Sequence, residues 1–343
     1  MTTIHFLNVK EGDCTIIQHD SGRCSMIDVC NARKPNTNKS LAEMLYGASD
    51  SSYASKGTGG NYNMKEHPTN PFEYMKKINE HGLFRFILTH PDMDHMDGIK
   101  DIFEEFHPAN FWDTDNDKKM EDGDFGEYRE EDWDFYQSIR VHPNNGITVL
   151  KLQVKAHGPY YNENADNTPG GDGLFILSPS KGLIEEIKKT KNPDYNALSY
   201  VLLLKAHGKR VVFGGDSSDL TWQYILNDEK LTQEISNIDI LIAPHHGRKT
   251  GGDDDNKFLD VLKPTLTLFG NAKSQYLNYS AWSTRKLEYI TNNQAGDIII
   301  SISNNMPKVY VHNETFANDF RSKRGWSKSQ YNGNLDAWFI CCI

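Results

Sequence analysis

The segment 90–95 carries the side chains whose types and spacing best fit metal chemistry. It reads H-P-D-M-D-H and places two imidazoles and two carboxylates within six residues. Alternate side chains of an extended loop point the same way, so His90 and Asp92 can bind one cation. Asp94 and His95 are adjacent and point apart, which lets them serve a second cation. Helix capping hardly explains four such residues together, and the spacing therefore predicts a metal site.

Secondary-structure patterns on both sides of this segment would hold it in place. An apolar strand is predicted at Phe84–Thr89, and a helix with one apolar face at Met96–Phe106. Similar patterns predict further strands at Thr2–Val9, Cys14–His19, Cys24–Val29, Ile147–Val154, Leu174–Leu177, Ser199–Lys205, Arg210–Phe213, Ile238–Ala243, Leu266–Phe269, Asp297–Ser301 and Lys308–His312. Further helices are predicted at Pro71–Gly82, Gly182–Thr190, Leu220–Asn227 and Ser283–Thr291. Strands outnumber helices and alternate with them, which favours a layered α/β or α+β domain.

The composition is that of a folded protein and argues against several classes. The 343 residues are 37% hydrophobic and 24% charged, which is enough apolar material for a sizeable core. No apolar run reaches the ~18 residues of a membrane helix, and the N-terminus lacks a signal-peptide pattern. The five cysteines form no C-x-x-C pair, which argues against a disulfide framework. We therefore expect a cytoplasmic protein without a membrane partner.

We expect a single domain over residues 1–343 with three atypical regions. Residues 31–70, rich in Asn, Ser and Gly, are predicted to be a loop-rich insertion with a weak helical patch at Leu41–Tyr46. Residues 113–134 contain eleven acidic and three basic residues, a local net charge of −8 within a total of −10. We expect this acidic insertion to be a solvated surface that lies away from any substrate path, and the alternative is a site that repels or mimics a polyanion. Residues 313–343 are predicted to form a basic-aromatic tail.

H-x-D-x-D-H after an apolar strand resembles the first metal motif of the metallo-β-lactamase fold, which usually reads H-x-H-x-D-H. The aspartate at position 92, after a proline, is similar to the variant in the hydrolase domain of the competence DNA-uptake protein ComEC and its stand-alone relatives. Further motifs that resemble this subgroup follow in the same order: F-L-N-V-K-E-G-D (6–13), M-I-D-V-C (26–30), L-S-P (177–179), N-A-L-S (196–199), V-V-F-G-G-D (211–216) and A-P-H-H-G (243–247). The resemblance covers about residues 4–312 and implies a four-layer αββα sandwich.

The resemblance also implies the remaining metal ligands. Asp216 would be the carboxylate that bridges two metals, and one of His245 or His246 would complete the set, of which we expect His246. Three carboxylates, three imidazoles and no thiolate suit manganese as well as zinc. Two such divalent ions, ~3.5–4 Å apart, would hold a bridging hydroxide and clamp both oxygens of an in-line displacement. The third-motif histidine of the family is missing; residues 194–196 lie near its place, and His157 is an alternative.

Catalytic and substrate-binding roles follow from the same resemblance and from charge. Asp94 and His245 are the candidate catalytic residues, and His245 could bind or protonate the leaving group. Arg248 and Lys249 beside the histidine pair would suit phosphate oxygens, with a solvated turn as an equally good alternative. Asn196, within N-A-L-S, is a third candidate for substrate binding.

Together these features predict a metal-dependent hydrolase. A phosphodiesterase or nuclease that attacks nucleic acid or a nucleotide through a metal-bound hydroxide fits best. One alternative is a hydrolase of small esters, lactones or lactams with the same fold, against which the aspartate at position 92 argues. Another is a non-catalytic scaffold with a degenerate metal site, which the joint presence of Asp94, His95, Asp216 and His246 disfavours. Fold alone does not decide among them, and the sequence indicates neither a protein partner nor an oligomeric state.

Overall fold

Two β-sheets with helices on their outer faces make up the described part of the chain. The computed structural model describes residues 1–35, 61–120, 125–141, 146–249 and 256–343. The helical patch predicted at Leu41–Tyr46 lies outside these ranges. Within them, no helix combines the length and the apolar character that crossing a membrane requires.

The first half of the chain builds six strands of the larger sheet. They are β1 (Thr2–Phe6), β2 (Thr15–Gln18), β3 (Cys24–Ile27), β4 (Arg85–Ile87), β5 (Asn110–Trp112) and β6 (Thr148–Leu150). The helices of this half are α1 (Pro71–Lys77), α2 (Ile99–Phe106) and α3 (Glu130–Val141). Strands β1 to β3 pair antiparallel, whereas β3 to β6 pair parallel, because long helical connections separate the latter strands.

The middle of the chain builds the smaller, six-stranded sheet. Its strands are β7 (Leu174–Ser178), β8 (Val201–Ala206), β9 (Lys209–Phe213), β10 (Ile240–Ile242), β11 (Leu266–Phe269) and β12 (Tyr289–Thr291). Its helices are α4 (Lys181–Lys189), α5 (Asp219–Leu226), α6 (Glu229–Ile235), α7 (Leu259–Leu262) and α8 (Tyr279–Thr284). Strands β9 to β12 are parallel, so their carboxyl ends lie at one edge.

The end of the chain returns to the larger sheet. After α9 (Asn292–Ala295) come β13 (Ile298–Ser303), β14 (Met306–Val311), α10 (Glu314–Ser322), β15 (Tyr331–Asn332) and β16 (Ala337–Cys342). Strand β13 pairs with β1, which gives the order β15-β16-β14-β13-β1-β2-β3-β4-β5-β6. The prediction of a basic-aromatic tail at 313–343 was therefore wrong. Phe316 and Ile340 pack into the core, and Arg321 donates from Nη1 to the Ile340 carbonyl at 3.0 Å.

Three buried apolar clusters stack these elements into layers. The cluster between the sheets joins Ile4 of the larger sheet with Leu202 of the smaller one. A second cluster packs Phe103 of α2 on the outer face of the larger sheet, and a third packs Trp222 of α5 on the smaller sheet. The arrangement is thus the predicted four-layer αββα sandwich.

The acidic region 113–134 differs most from expectation. Asp113 and Asp132 are fully buried. Arg140 Nε donates to Asp113 Oδ2 at 2.8 Å, and Arg129 Nε donates to Asp132 Oδ2 at 2.9 Å. A buried carboxylate requires such a partner, since desolvation of an unpaired charge is very costly. The expectation of a solvated acidic face was therefore wrong for these two residues, which belong to the interior.

The predicted helix Ser283–Thr291 was also wrong over its second half. Helix α8 ends at Thr284, and Tyr289–Thr291 is strand β12, which pairs parallel with β11. An aromatic and two β-branched residues fit a half-buried sheet position better than a helix.

Candidate metal centre

The candidate ligands lie at one edge of the sandwich, where parallel strands of both sheets end. The segment 90–95 follows β4 in the larger sheet, whereas Asp216 follows β9 and His246 follows β10 in the smaller sheet. Ligand sites in α/β sheets lie beyond the carboxyl ends of their strands. The topology therefore brings three motifs together that are far apart in the sequence.

Asp94, His95, Asp216 and His246 surround one point. Their ligand atoms all lie within 4.8 Å of one another. Asp216 Oδ1 is 3.3 Å from His95 Nε2 and 3.4 Å from His246 Nε2. Asp94 Oδ2 lies 3.8 Å and 3.9 Å from the same two nitrogens. Ligands bound ~2.0–2.2 Å from a tetrahedral ion lie roughly 3.3–3.6 Å apart, so these separations nearly match those of a zinc site.

Several buried polar atoms at this point, or directly beside it in the case of His90, lack a hydrogen-bond partner among the described residues. They are His90 Nε2, His95 Nε2, His246 Nε2 and Asp216 Oδ1. Buried polar atoms without partners are rare and cost free energy, and here four occur together. Imidazole nitrogens and carboxylate oxygens are also the ligands that zinc and manganese accept. The residue set therefore fits a divalent cation.

Asp28, which follows β3, holds the first motif in place. Its carboxylate accepts hydrogen bonds from Thr89 N at 2.7 Å and from Thr89 Oγ1 at 2.6 Å. His95 Nδ1 lies 2.8 Å from Asp28 Oδ2, and this contact assigns the proton to Nδ1. The opposite ring nitrogen, Nε2, is thereby left as the ligand atom. Carboxylate–histidine pairs of this kind orient the ligands of many metal sites.

His246 is oriented in the same way by Asp13, whose Oδ1 lies 3.0 Å from His246 Nδ1. The turn that carries His246 is strained, because His245 and His246 have φ values of 50° and 54° in the left-handed region. Gly247 follows with a φ of 84°, and a Cβ there would lie 1.7 Å from the Phe269 ring. Only glycine fits at this position.

The cluster concentrates negative charge. Burial opposes ionisation of Asp216, but the charges of His246 and His95 hold its pKa well below the usual range. Burial likewise opposes the charged form of His246, but Asp216 and Asp13 raise its pKa to about 10. Burial raises the pKa of Asp94 despite the charge of His95. Such a pocket favours bound cations, either as protons on the imidazoles or as a metal ion.

His90 and Asp92 form an adjacent pair outside this four-residue cluster. His90 Nε2 lies 3.8 Å from Asp92 Oδ2, and the His90 and His95 ring centres are 4.2 Å apart. Burial and the nearby charge of His95 lower the pKa of His90 to about 3, so its imidazole is neutral. The ammonium of Lys118, from the acidic region, forms an ion pair with Asp92 Oδ1.

The two adjacent histidines of P-H-H-G face different surroundings. His246 is fully buried in the ligand cluster, whereas the side chain of His245 is 22% exposed. His245 Nε2 lies 3.7 Å from Asp216 Oδ2, and burial lowers the pKa of His245. The His245 backbone N–H donates to the Gly215 carbonyl at 2.8 Å, which fastens the turn to the loop that carries Asp216. His245 thus lies between the cluster and solvent.

Two of the residues predicted to bind substrate lie outside the cluster. Arg248 Nη2 is 3.9 Å from Glu11 Oε2, and its guanidinium lies over the Tyr276 ring at 5.5 Å. Lys249 is exposed. The alternative ligand His157 is 63% exposed in a loop of its own, so the structure does not place it with the other ligands.

Asn196 lies in the short turn that precedes β8. Its backbone N–H donates to Asp194 Oδ1 at 3.1 Å, and directly after this turn the hydroxyl of Ser199 accepts from the Asp216 N–H at 3.2 Å. Burial raises the pKa of Asp194, and so do the negative charges of Asp92 and Asp216. Within this stretch Ser199 thus contacts the loop that carries Asp216, and Asp194 is the acidic group near that loop.

A cavity of about 430 Å³ lies near the segment 90–95, where Asp97 lines it, but its lining includes none of the four clustered residues. Its charged lining residues are Lys10, Glu11, Arg33, Lys65, Glu66, Asp97, Glu127 and Lys273. Cys30 also lines it and lies against Gly12, where a Cβ would come within 2.2 Å of the Asp94 carbonyl oxygen. Because cations and carboxylates balance, the cavity suits a small charged molecule better than a long polyanion.

Comparisons with known proteins give distant structural similarities. The sequence matches no protein-family model and no curated protein. A new diphosphatase from the PhnP family gives a TM-score of 0.44 at 11% identity, over 88% of this chain and 98% of that chain. Zinc-bound PqqB from Methylobacterium extorquens gives a TM-score of 0.43 at 11% identity, over 88% of this chain and 100% of that chain. Unliganded yeast PDE1 gives a TM-score of 0.35 at 11% identity, over 85% of this chain and 88% of that chain. Similarities this distant carry no argument about the activity of this chain.

Sequence reasoning assigned no role to Asp13, Asp28 or Lys118. The first two stand in motifs that the family resemblance had already singled out, G-D at 12–13 and M-I-D-V-C at 26–30, so a signal existed. Lys118 had none, since it stood in a region interpreted as solvated surface. Only its contact with Asp92 in the folded chain reveals it.

Proposed function

We propose that this protein is a metal-dependent hydrolase that binds zinc or manganese through Asp94, His95, Asp216 and His246. The observation that carries the proposal is the set of buried ligand atoms without hydrogen-bond partners at one point. An ion bound there would lower the pKa of a water molecule and polarise a phosphoryl or carbonyl oxygen. His90 and Asp92 are the ligands that remain for the second ion expected from the sequence.

We further propose a phosphodiester substrate, in the form of nucleic acid or a nucleotide. Asp94 is 26% exposed and can accept a hydrogen bond from an attacking water. His245 lies between the cluster and solvent and can donate a hydrogen bond to a leaving oxygen. Arg248 suits a phosphate oxygen, because its guanidinium is only 20% exposed and its Nε is buried without a partner among the described residues.

Hydrolysis of a small carbonyl ester is the competing outcome. The closer relationship to ComEC-type hydrolases and the cytoplasmic location stay predictions.

Metal analysis and a substrate panel test the proposal. We expect zinc or manganese in the purified protein, loss of activity on chelation, and cleavage of p-nitrophenyl phosphodiesters, cyclic nucleotides or oligonucleotides. Arg248→Ala should raise KM for the phosphodiester, while Lys181→Ala, which removes an 81% exposed lysine, serves as the control. Cleavage of esters or lactones without any phosphodiester activity would contradict the substrate assignment.

A salt titration separates the polymer from the small substrate. Each phosphate contact of a polymer releases counterions, so cleavage of an oligonucleotide bound across several contacts should weaken with salt. A mononucleotide diester should show a shallow dependence. Equal, flat salt dependence for both substrates would argue that only the diester itself is bound.

A further inference from the structure

We propose that the ammonium of Lys118 takes the place of a second cation, so that this protein binds one divalent ion rather than two. The inference rests on the proposed function only in assuming that an ion binds at Asp94, His95, Asp216 and His246. The half of the site formed by His90 and Asp92 then holds a cation supplied by the chain itself.

Direct contacts place Lys118 in this half of the site. Its ammonium pairs with Asp92 Oδ1, and its side chain is only 18% exposed. The ammonium also lies 5.9 Å from the centre of the Tyr195 ring. A carboxylate and an aromatic face are two groups that stabilise an ammonium ion.

The backbone around Lys118 is anchored, so the ammonium is held at this place. The Lys118 N–H donates to Asn116 Oδ1 at 3.2 Å, and Arg140 Nη2 donates to the Asn116 carbonyl at 2.7 Å. Asn116 is itself buried and donates from Nδ2 to the Tyr136 hydroxyl at 2.9 Å. On the other side of the site, the Tyr195 hydroxyl donates to Asp117 Oδ1 at 3.0 Å.

Like charges explain why this arrangement excludes a second metal ion. An ion bound to His90 and Asp92 would share the Asp92 carboxylate with the ammonium of Lys118 and repel it at short range. In the four-residue cluster, by contrast, the ion-pair partners of Asp94 and Asp216 among the described residues are all histidines. That half lacks a built-in lysine or arginine among the described residues and keeps its negative charge for a metal ion.

Metal stoichiometry tests the inference without any assay of hydrolysis. The full-length protein is loaded with excess zinc or manganese, dialysed, and measured by elemental analysis and by calorimetric titration. We expect one ion per chain in the wild type and two in Lys118→Ala. Lys118→Arg keeps the charge and should stay at one ion. Lys119→Ala, which removes the exposed neighbouring lysine, should also stay at one.

A double variant locates the additional ion. Lys118→Ala combined with His90→Ala should return to one ion, because the second ion needs the His90 imidazole. Circular dichroism and thermal melting check folding, and Lys118→Met replaces Lys118→Ala if the shorter side chain impairs it.

Each result decides the inference. Two ions in the wild type, or one ion in both uncharged variants, overturns it while leaving the proposed hydrolase intact. Absence of bound metal in every variant, including the wild type, would instead overturn the metal assignment of the proposed function, and the inference with it.

Discussion

The two halves of the candidate centre differ in what neutralises their carboxylates. One half is the four-residue cluster, and the other is the pair His90 and Asp92. Both hold imidazoles beside buried or half-buried carboxylates, and these carboxylates need positive charge nearby. In the half made by Asp94, His95, Asp216 and His246, no lysine or arginine of the described chain supplies it. In the half with Asp92, the ammonium of Lys118 does.

With Lys118 as the proposed second cation, a metal-binding motif does not by itself fix the number of ions. His90 and Asp92 have the spacing of ligands, yet a residue from a separate region already neutralises Asp92. Whether a carboxylate can bind a metal ion depends on all the charges around it, including those from distant parts of the sequence.

Removing a ligand from the four-residue half should have the largest effect. Asp216→Asn or His246→Ala should lower hydrolysis by roughly 10³-fold or more, because the ion and its hold on the reacting groups are lost together. Steady-state kinetics and elemental analysis measure both losses. His157→Ala, which removes a histidine exposed in a separate loop, should leave rate and metal content unchanged. Full activity in metal-free His246→Ala would contradict the assignment.

Removing the anchor of the lysine half should cost stability instead. Arg140→Met removes the ion-pair partner of the fully buried Asp113 carboxylate and leaves it the neutral Tyr136 hydroxyl as a donor, which should lower the free energy of unfolding by about 3 kcal/mol. Urea denaturation measures the change. The ion of the four-residue half should remain bound to the folded fraction. Arg285→Met is the control, since its partner Asp260 is 60% exposed, and an equal loss in both variants would contradict the argument.

Changing a positioning residue should weaken the metal site without emptying it. Asp28→Asn replaces an oxygen that accepts from His95 Nδ1 and Thr89, and should weaken metal affinity by about 10–100-fold. Competition with a chromophoric chelator gives the affinity. Asp134→Asn on the exposed face of α3 is the matched control. If Asp28→Asn binds metal as tightly as the wild type, Asp28 has only a structural role.

The smallest effect is expected at an exposed ion pair of the same acidic region. Lys188 Nζ pairs with Asp115 Oδ2 at 2.8 Å, but Asp115 is 38% exposed. Lys188→Ala should change the free energy of unfolding by less than about 1 kcal/mol, because water screens the pair. A loss as large as that of Arg140→Met would show that the whole acidic region is interior, and would remove the distinction between buried and exposed pairs.

Much of the centre could be predicted from the sequence because its information is local. The spacing of the segment 90–95 identified ligand-type residues, and apolar stretches before it and before Asp216 and His246 located the strand ends. The layered fold followed from alternating strands and helices. The second half of Ser283–Thr291 shows the limit, since whether a short apolar stretch is helix or strand depends on the neighbour it packs against.

The sequence by itself determined which residues of this protein are able to bind a metal and that strands and a helix frame them. Only the tertiary structure decided which of these residues surround one point and which contact Lys118 instead. The sheet topology brings Asp28 and Asp13 close to His95 and His246, whose rings they orient. Lys118 contacts Asp92 from a region that composition alone assigns to the solvated surface. The physical reason is that burial and Coulomb interactions depend on distances in space, which local patterns do not contain.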